Sequence, residues 1–345
     1  MTPNPHDRLT KAIFGNPVHA AGELKSVLPR GIADSLDFDT LTVCSGDWYD
    51  KVLANRQGDL LFSIQARAAG EALIYVLMEH KSTLDPMTPL QLLGYMVRLW
   101  EAWLSQKPTA AHLPPILPVV LAHGSRKWKS PRRFGQLFPQ GEELGALLAP
   151  FQPEFCFLVD DLTAQPDQAI RERAMTPLGK LTLLALKHMR GERELVEMLA
   201  DWVDLLREAS QCQMEGGRAG GEAFSELFCY TLEVRKRTDV KQVERFIAMN
   251  VDKSMSETFV SMADELRAEG RRQGRAEGRN EGLLEGKRLI LVQLLTTRFG
   301  RLAPEISARL AQAGQDELDR WAQRILIAES PADVFGEGKE GPRIV

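Results

Sequence analysis

The sequence has little of three things, and each shortage excludes a class of protein. Cysteine is the first. Its four residues, Cys44, Cys156, Cys212 and Cys229, form no CxxC motif, and the six histidines are equally scattered. No zinc-site spacing or disulfide framework is present, and reduced thiols fit a cytoplasmic protein. Long apolar runs are the second. The most apolar stretch near the middle, residues 113–122, is short and broken by prolines, well under the roughly 20 apolar residues of a membrane span. The first ten residues are polar, with two prolines, and lack the apolar core of a signal peptide. An excess of positive charge is the third. The formal net charge is -4, so the chain is no globally basic nucleic-acid binder, and any contact with DNA must come from local basic patches.

What is present is ordinary for a globular protein: 44% hydrophobic and 26% charged residues, enough to bury a sizeable core. A length of 345 residues suggests two domains, or one domain with an appendage. Apolar spacing predicts a helix over 6–28, ended by Pro29 and Gly31. Residues 36–43 alternate and read as a connection or short strand; residues 48–53 are ambiguous. Residues 58–65 (GDLLFSIQ) and 73–81 (LIYVLMEHK) read as two strands joined by a turn that contains Gly70. The second is apolar almost to its end, as in the middle of a covered sheet. A helix over 89–106 follows, then strands over 116–122 and 154–159, the last ending at Asp160 and Asp161. Helices dominate 171–209, the four glycines of 211–221 suggest a loop or linker, and 222–246 reads as helix. Strands with intervening helices define an α/β or α+β domain running to about residue 250.

Beyond it, Gly270, Gly274, Gly278, Gly282 and Gly286 recur at every fourth position in EGRRQGRAEGRNEGLLEGK. The segment is either a flexible charged linker or a helix that self-associates along a stripe of glycines. Residues 289–295 (LILVQLL) and later apolar positions at helical spacing, such as Phe299, Leu310 and Trp321, form a small helical unit.

Three charged residues of the hairpin carry chemistry. Glu79 and Lys81 are two apart on one strand and share a face; Asp59 lies on the strand before. Paired as a hairpin, the three converge at one end of the sheet. Two carboxylates, with the backbone carbonyl of His80, suit a hard cation such as Mg²⁺. Such an ion activates water and polarises a phosphate, and Lys81 can hold or deprotonate that water. Two exposed strand ends would give the same letters, but charge that follows a long apolar strand is costly without a partner.

Arg126, Lys127, Lys129, Arg132 and Arg133 surround Trp128 in a loop that can neutralise phosphates, with a tryptophan that either stacks on a base or anchors in the core. Arg235, Lys236, Arg237 and Lys241 form a second basic cluster. His123 reads as structural. The ring of His80 would point away from Glu79 and Lys81. Asp160 and Asp161 read as helix caps sooner than as a second acidic site.

Taken in order, HDRLTKAIF at His6, LP at Leu28, GDLLFSI at Gly58, YVLMEHKS at Tyr75, LLGYMVRLW, LPVVLAHGSRKW at Leu117 and FCFLVDDL at Phe155 resemble the recombination-promoting nucleases. This transposase-like family is a branch of the PD-(D/E)XK superfamily. The resemblance covers roughly residues 5–250. It implies a restriction-endonuclease-like mixed β-sheet core flanked by helices (1–250), then a glycine-repeat helix or linker (251–288), a small helical domain (289–335) and a disordered tail (336–345). It implies a Mg²⁺- or Mn²⁺-dependent DNA endonuclease linked to recombination or mobile DNA, with Asp59, Glu79 and Lys81 on the family's acidic and lysine positions. A homo-oligomer joined through the glycine repeat and C-terminal helices is expected, with no membrane partner. His6 and Asp7 match an N-terminal motif. Two positions depart from the pattern: Gly58 replaces a proline, and Gln91 stands where relatives carry arginine, which puts a phosphate-binding role for that helix in question. The other reading is a catalytically inactive DNA-binding or oligomeric interaction protein on the same fold.

Overall fold

A computed structural model describes residues 4–44, 60–67, 73–81, 83, 85–124, 126–138, 143–216, 218–235 and 237–336, with 73–81, 143–144, 213–216 and 218–223 described as backbone only. The chain divides into two compact units, Met1–Ala263 and Asp264–Val345.

The N-terminal unit opens with three helices, α1 (Pro5–Phe14), α2 (Pro17–Val27) and α3 (Arg30–Ser35). The single helix expected over 6–28 is two. Asn16 accepts the Val18 N–H at 3.0 Å as the cap of α2, and Pro17 has no N–H to continue α1. Asn4 caps α1 in the same way, accepting the His6 N–H at 3.1 Å.

Among the described residues five strands follow: β1 (Leu36–Val43), β2 (Leu60–Ala66), β3 (Leu73–Lys81), β4 (Ile116–Ala122) and β5 (Leu158–Asp161). They form one sheet in the order β1-β2-β3-β4-β5. β1, β2 and β3 pair antiparallel; β3, β4 and β5 pair parallel. The mixed sheet thus places β3 in the middle. The parallel pairing of β3 with β4 needs a crossover, supplied by helix α4 (Thr88–Gln106).

Alternation sends the two sides of each strand into different cores. Leu60, Phe62, Ile64, Val119 and Leu121 join a large cluster with α1, α2 and the later helices. Leu61, Val120 and Ala122 face the other way, onto Leu92, Tyr95 and Leu99 of α4. The last strand lies later than its apolar run suggests. Residues 154–157 instead meet the basic loop, through Phe134 N–H to the Phe155 carbonyl at 3.0 Å and an isolated Arg133–Cys156 bridge.

Helices α5 (Glu143–Leu148), α6 (Asp167–Arg171), α7 (Pro177–His188), α8 (Leu195–Asp201), α9 (Val203–Gly216), α10 (Arg218–Val234) and α11 (Val240–Asn250) follow in the N-terminal unit. Two expectations are corrected here. Glycine-bearing residues 211–221 fall largely within α9 and α10 rather than a loop. Leu205, Leu206 and Ala209 of α9, and Phe224, Leu227 and Phe228 of α10, are buried in the large core, and that burial outweighs roughly 1 kcal/mol of lost propensity per glycine. The helix expected over 222–246 is interrupted before Asp239, whose carboxylate caps α11.

Helix α12 (Lys253–Phe299) contains the whole glycine ladder. In the C-terminal unit its Leu291 and Leu295 pack with Leu310 of α13 (Pro304–Gln312), with Leu318 and Trp321 of α14 (Gln315–Arg324), and with Phe335 of α15 (Pro331–Phe335). Among the described residues no helix is long and apolar enough to cross a membrane.

Candidate active site

The strand register assembles one end of the sheet. Glu79 lies opposite Val120, and Lys81 opposite Ala122. Ala122 in turn lies opposite Asp161, so the last residues of three parallel strands stand in a row. On the other side of β3, Leu60 pairs with Met78. Glu79 is the next residue after Met78, and Asp59 the one before Leu60. The placement of Asp59 and the side chains of Glu79, His80 and Lys81 lie outside the described residues. Among the described residues, no three His, Cys, Asp or Glu side chains cluster to hold a metal ion. The donor chemistry of Asp59, Glu79 and the His80 carbonyl is all oxygen, which fits Mg²⁺ or Mn²⁺ and not a soft metal.

The chain leaving β4 enters this end directly. His123 is buried, and its ring centroid is 4.9 Å from that of His6 at the start of α1. The contacts of His6 fix its tautomer. Arg190 donates from Nε to His6 Nε2 at 2.9 Å, and again from Nη2. Nε2 is therefore the unprotonated nitrogen, and Nδ1–H donates to the Tyr230 hydroxyl at 2.9 Å. Burial pushes the Tyr230 phenol above its ordinary pKa, so it stays protonated. Helices α1 and α10, joined also by Arg8 to Glu226 at 3.0 Å and Glu233 at 2.9 Å, thus hold His6 against the strand end. The sequence pattern marked His6 and Asp7 without a role; the partners Arg190 and Tyr230 had no local signal.

The basic loop follows His123. Arg126, Lys127, Lys129 and Arg132 are exposed, while Arg133 pairs with Glu154 at 2.9 Å. Trp128 is not on that surface. It is 7% exposed, meets Phe157 edge-on, and donates its backbone N–H to Asp161 at 2.7 Å. Its ring anchors the loop in the core beside α4, so no base can stack on it there. Asp161 also accepts from the Thr163 N–H and hydroxyl. It ties the loop to the strand end and caps a turn, not the helix expected.

Asp160 belongs to a different buried group. Arg173 donates to Asp160 at 2.8 Å through both terminal nitrogens, and to Glu23 at 2.6 Å. Gln165 adds a contact to Asp160. Burial raises the Glu23 carboxyl well above the usual range, with neighbouring Asp160 adding to the shift and Arg173 opposing it. This group joins α2 to β5 and to the segment before α7. Gln91, on the first turn of α4, donates to Asp85. In the second basic cluster, Arg235 donates to the Arg193 and Gly191 carbonyls at 2.6 and 3.0 Å, which ties the end of α10 to the loop between α7 and α8.

A mixed sheet covered by helices on both faces, with an acid and a lysine at the end of its middle strand, defines an α/β protein whose candidate site lies at the strand ends. Residues 4–216 match the family described as "Putative transposase, YhgA-like", and the chain belongs to it. Curated relatives include the recombination-promoting nuclease RpnD of Escherichia coli O157:H7, 28% identical over 59% of this chain and 75% of its own. Another is the recombination-promoting nuclease RpnA of E. coli K12, 26% identical over 78% of this chain and 85% of its own. A third, from the same strain, carries the name "Putative inactive recombination-promoting nuclease-like protein YjiP" and is 32% identical over 27% of this chain and 90% of its own. No solved structure matches.

Proposed function

We propose that the chain is a metal-dependent DNA endonuclease on a restriction-endonuclease-like core of the PD-(D/E)XK type, acting in recombination or on mobile DNA. The register of the middle strand carries this reading. Met78 faces Leu60, the neighbour of Asp59, and Lys81 stands in the row Lys81, Ala122, Asp161. In this reading one aspartate, one glutamate and one lysine meet at a single sheet end, supported by the backbone positions of Glu79 and Lys81 on β3 and by Asp59 being next in sequence to Leu60. Relatives named as nucleases at 26% and 28% identity support it.

In this reading Asp59, Glu79 and the His80 carbonyl hold Mg²⁺ or Mn²⁺. When bound, the ion polarises the scissile phosphate and lowers the pKa of a bound water. Lys81 positions that water, accepts its proton when itself neutral, and offsets negative charge that develops on the phosphate. Arg126, Lys127, Lys129 and Arg132 engage neighbouring phosphates of the duplex, where charge neutralisation supplies most sequence-independent affinity.

Plasmid DNA incubated with the purified chain and Mg²⁺ or Mn²⁺, beside Glu79→Ala and Lys81→Ala, tests the reading. Nicking or linearisation by the parent, lost in both variants, is the expected result. Equal cutting by all three would place the activity elsewhere. Binding without cutting would favour the second reading, a catalytically inactive DNA-binding protein, for which the relative named as inactive is the precedent.

A further inference from the structure

The ladder of α12 has a chemical handedness. Residues 268–287 read as five four-residue repeats, AEGR, RQGR, AEGR, NEGL and LEGK. Each residue advances about 100° around a helix. The residue before each glycine therefore lies on one flank of the glycine stripe, and the residue after it on the other. One flank carries Glu269, Glu277, Glu281 and Glu285; the other carries Arg271, Arg275 and Arg279. The ion pairs along this part of the helix, Arg267–Asp264 at 3.1 Å and Arg288–Glu285 at 3.7 Å, lie before the first repeat and at the last.

Packing within the chain does not account for this helical stretch. Residues 271–283 are exposed on every side, and a Cβ added at any of the five glycines would meet nothing within 4 Å. Each glycine costs about 1 kcal/mol relative to alanine, and a helix polar all round has no buried face to offset it. The four-residue spacing then continues through Ile290 and Leu294, which are 59% and 43% exposed. Leu291 and Leu295, by contrast, are buried in the core of the C-terminal unit.

We propose that two copies of this chain pair in parallel along α12, the acidic flank of each helix facing the basic flank of the other. Charge selects both the partner and its direction. In a parallel pair related by a two-fold axis along the helices, opposite flanks meet, so glutamate faces arginine. In an antiparallel pair like flanks meet, and glutamate faces glutamate. The absent glycine side chains set the distance. They let the backbones approach, and a period longer than 3.6 residues gives the crossing a right hand. Parallel pairing tethers two N-terminal units at the same end of the paired helices. The inference is independent of whether those units cut DNA.

Charge exchange tests it in the full-length chain. One variant carries Arg271→Glu, Arg275→Glu and Arg279→Glu, so that both flanks are acidic. A second adds Glu277→Arg, Glu281→Arg and Glu285→Arg, which exchanges the flanks. Glutamate and arginine have similar helix propensity, and the second variant controls for the first. By light scattering, parent and exchanged variant should both be dimers, and the single-flank variant should dimerise at least roughly tenfold more weakly, about 1.4 kcal/mol or more. Differently tagged parent and exchanged chains, mixed, should form no mixed dimers, because acid would then face acid. A monomeric parent, mixed dimers, or undiminished pairing of the single-flank variant would each overturn the proposal.

Discussion

The imidazole of His6, at the start of α1, stands 4.9 Å from that of His123, at the end of β4. His6 also joins Arg190 and Tyr230, 184 and 224 residues away. Removing the ring from this buried position strands the Tyr230 hydroxyl, and an unsatisfied buried polar group costs roughly 1–3 kcal/mol. His6→Ala should therefore lower unfolding stability in urea by about 2–3 kcal/mol, and Tyr230→Phe by about 1 kcal/mol. Because both act on the same bond, the double variant should lose less than the sum. Full additivity would mean that the two residues are not coupled.

Much of the fold could be read from period alone. Residues 58–65, 73–81 and 116–122 announce β2, β3 and β4 because strands covered on both sides are apolar on both sides. The same period-two geometry makes Glu79 and Lys81 a pair. What escaped reading depends on partners remote in sequence. β5 ends on Asp160 and Asp161, which look like a strand terminus until Arg173 and the Trp128 N–H are known to neutralise and satisfy them. The glycines of 211–221 signal a loop locally, and only packing of α9 and α10 overrides them. His6 carries no hint of Arg190.

Glu23 gives a prediction with a sign. Its folded pKa is raised, first by burial and then by Asp160. A raised acid binds its proton more tightly in the folded state. Its favourable contribution is complete below the unfolded value, about 4.3, and is lost as pH rises through the folded value. Glu23→Gln keeps the shape without the titration. Urea unfolding of parent and variant from pH 4 to pH 8 should show the variant gaining on the parent as pH rises. Between the unfolded and folded values the gain should approach about 1.4 kcal/mol per pH unit, the slope set by one proton. A difference that stays constant with pH would mean that Glu23 does not titrate abnormally.

Ion pairing separates the basic residues after β4. Arg126, Lys127, Lys129, Arg132 and Arg133 all face solvent, but Arg133 is engaged with Glu154. If the first four meet phosphates, Lys127→Ala with Lys129→Ala should flatten the dependence of DNA affinity on salt by about 0.9 per lost contact in the log–log slope. Arg133→Ala should change that slope less. Fluorescence anisotropy with a labelled duplex at several salt concentrations measures both, and an unchanged slope in the double variant would remove this loop from the interface.

The C-terminal unit depends on a small core of its own, in which Leu295 is fully buried and the rings of Trp321 and Phe335 meet edge-on at 4.8 Å. Leucine-to-alanine changes at such positions cost roughly 2–5 kcal/mol, a large share of what a short unit with so few buried side chains can hold. Leu295→Ala should therefore open this unit first. Limited proteolysis should cut within residues 300–336 at protease levels that leave the parent whole, while the fragment containing residues 4–250 persists. The outcome that would defeat the argument is simultaneous loss of both fragments. It would mean that the core around Leu295 and the core around Phe62 unfold as one cooperative body.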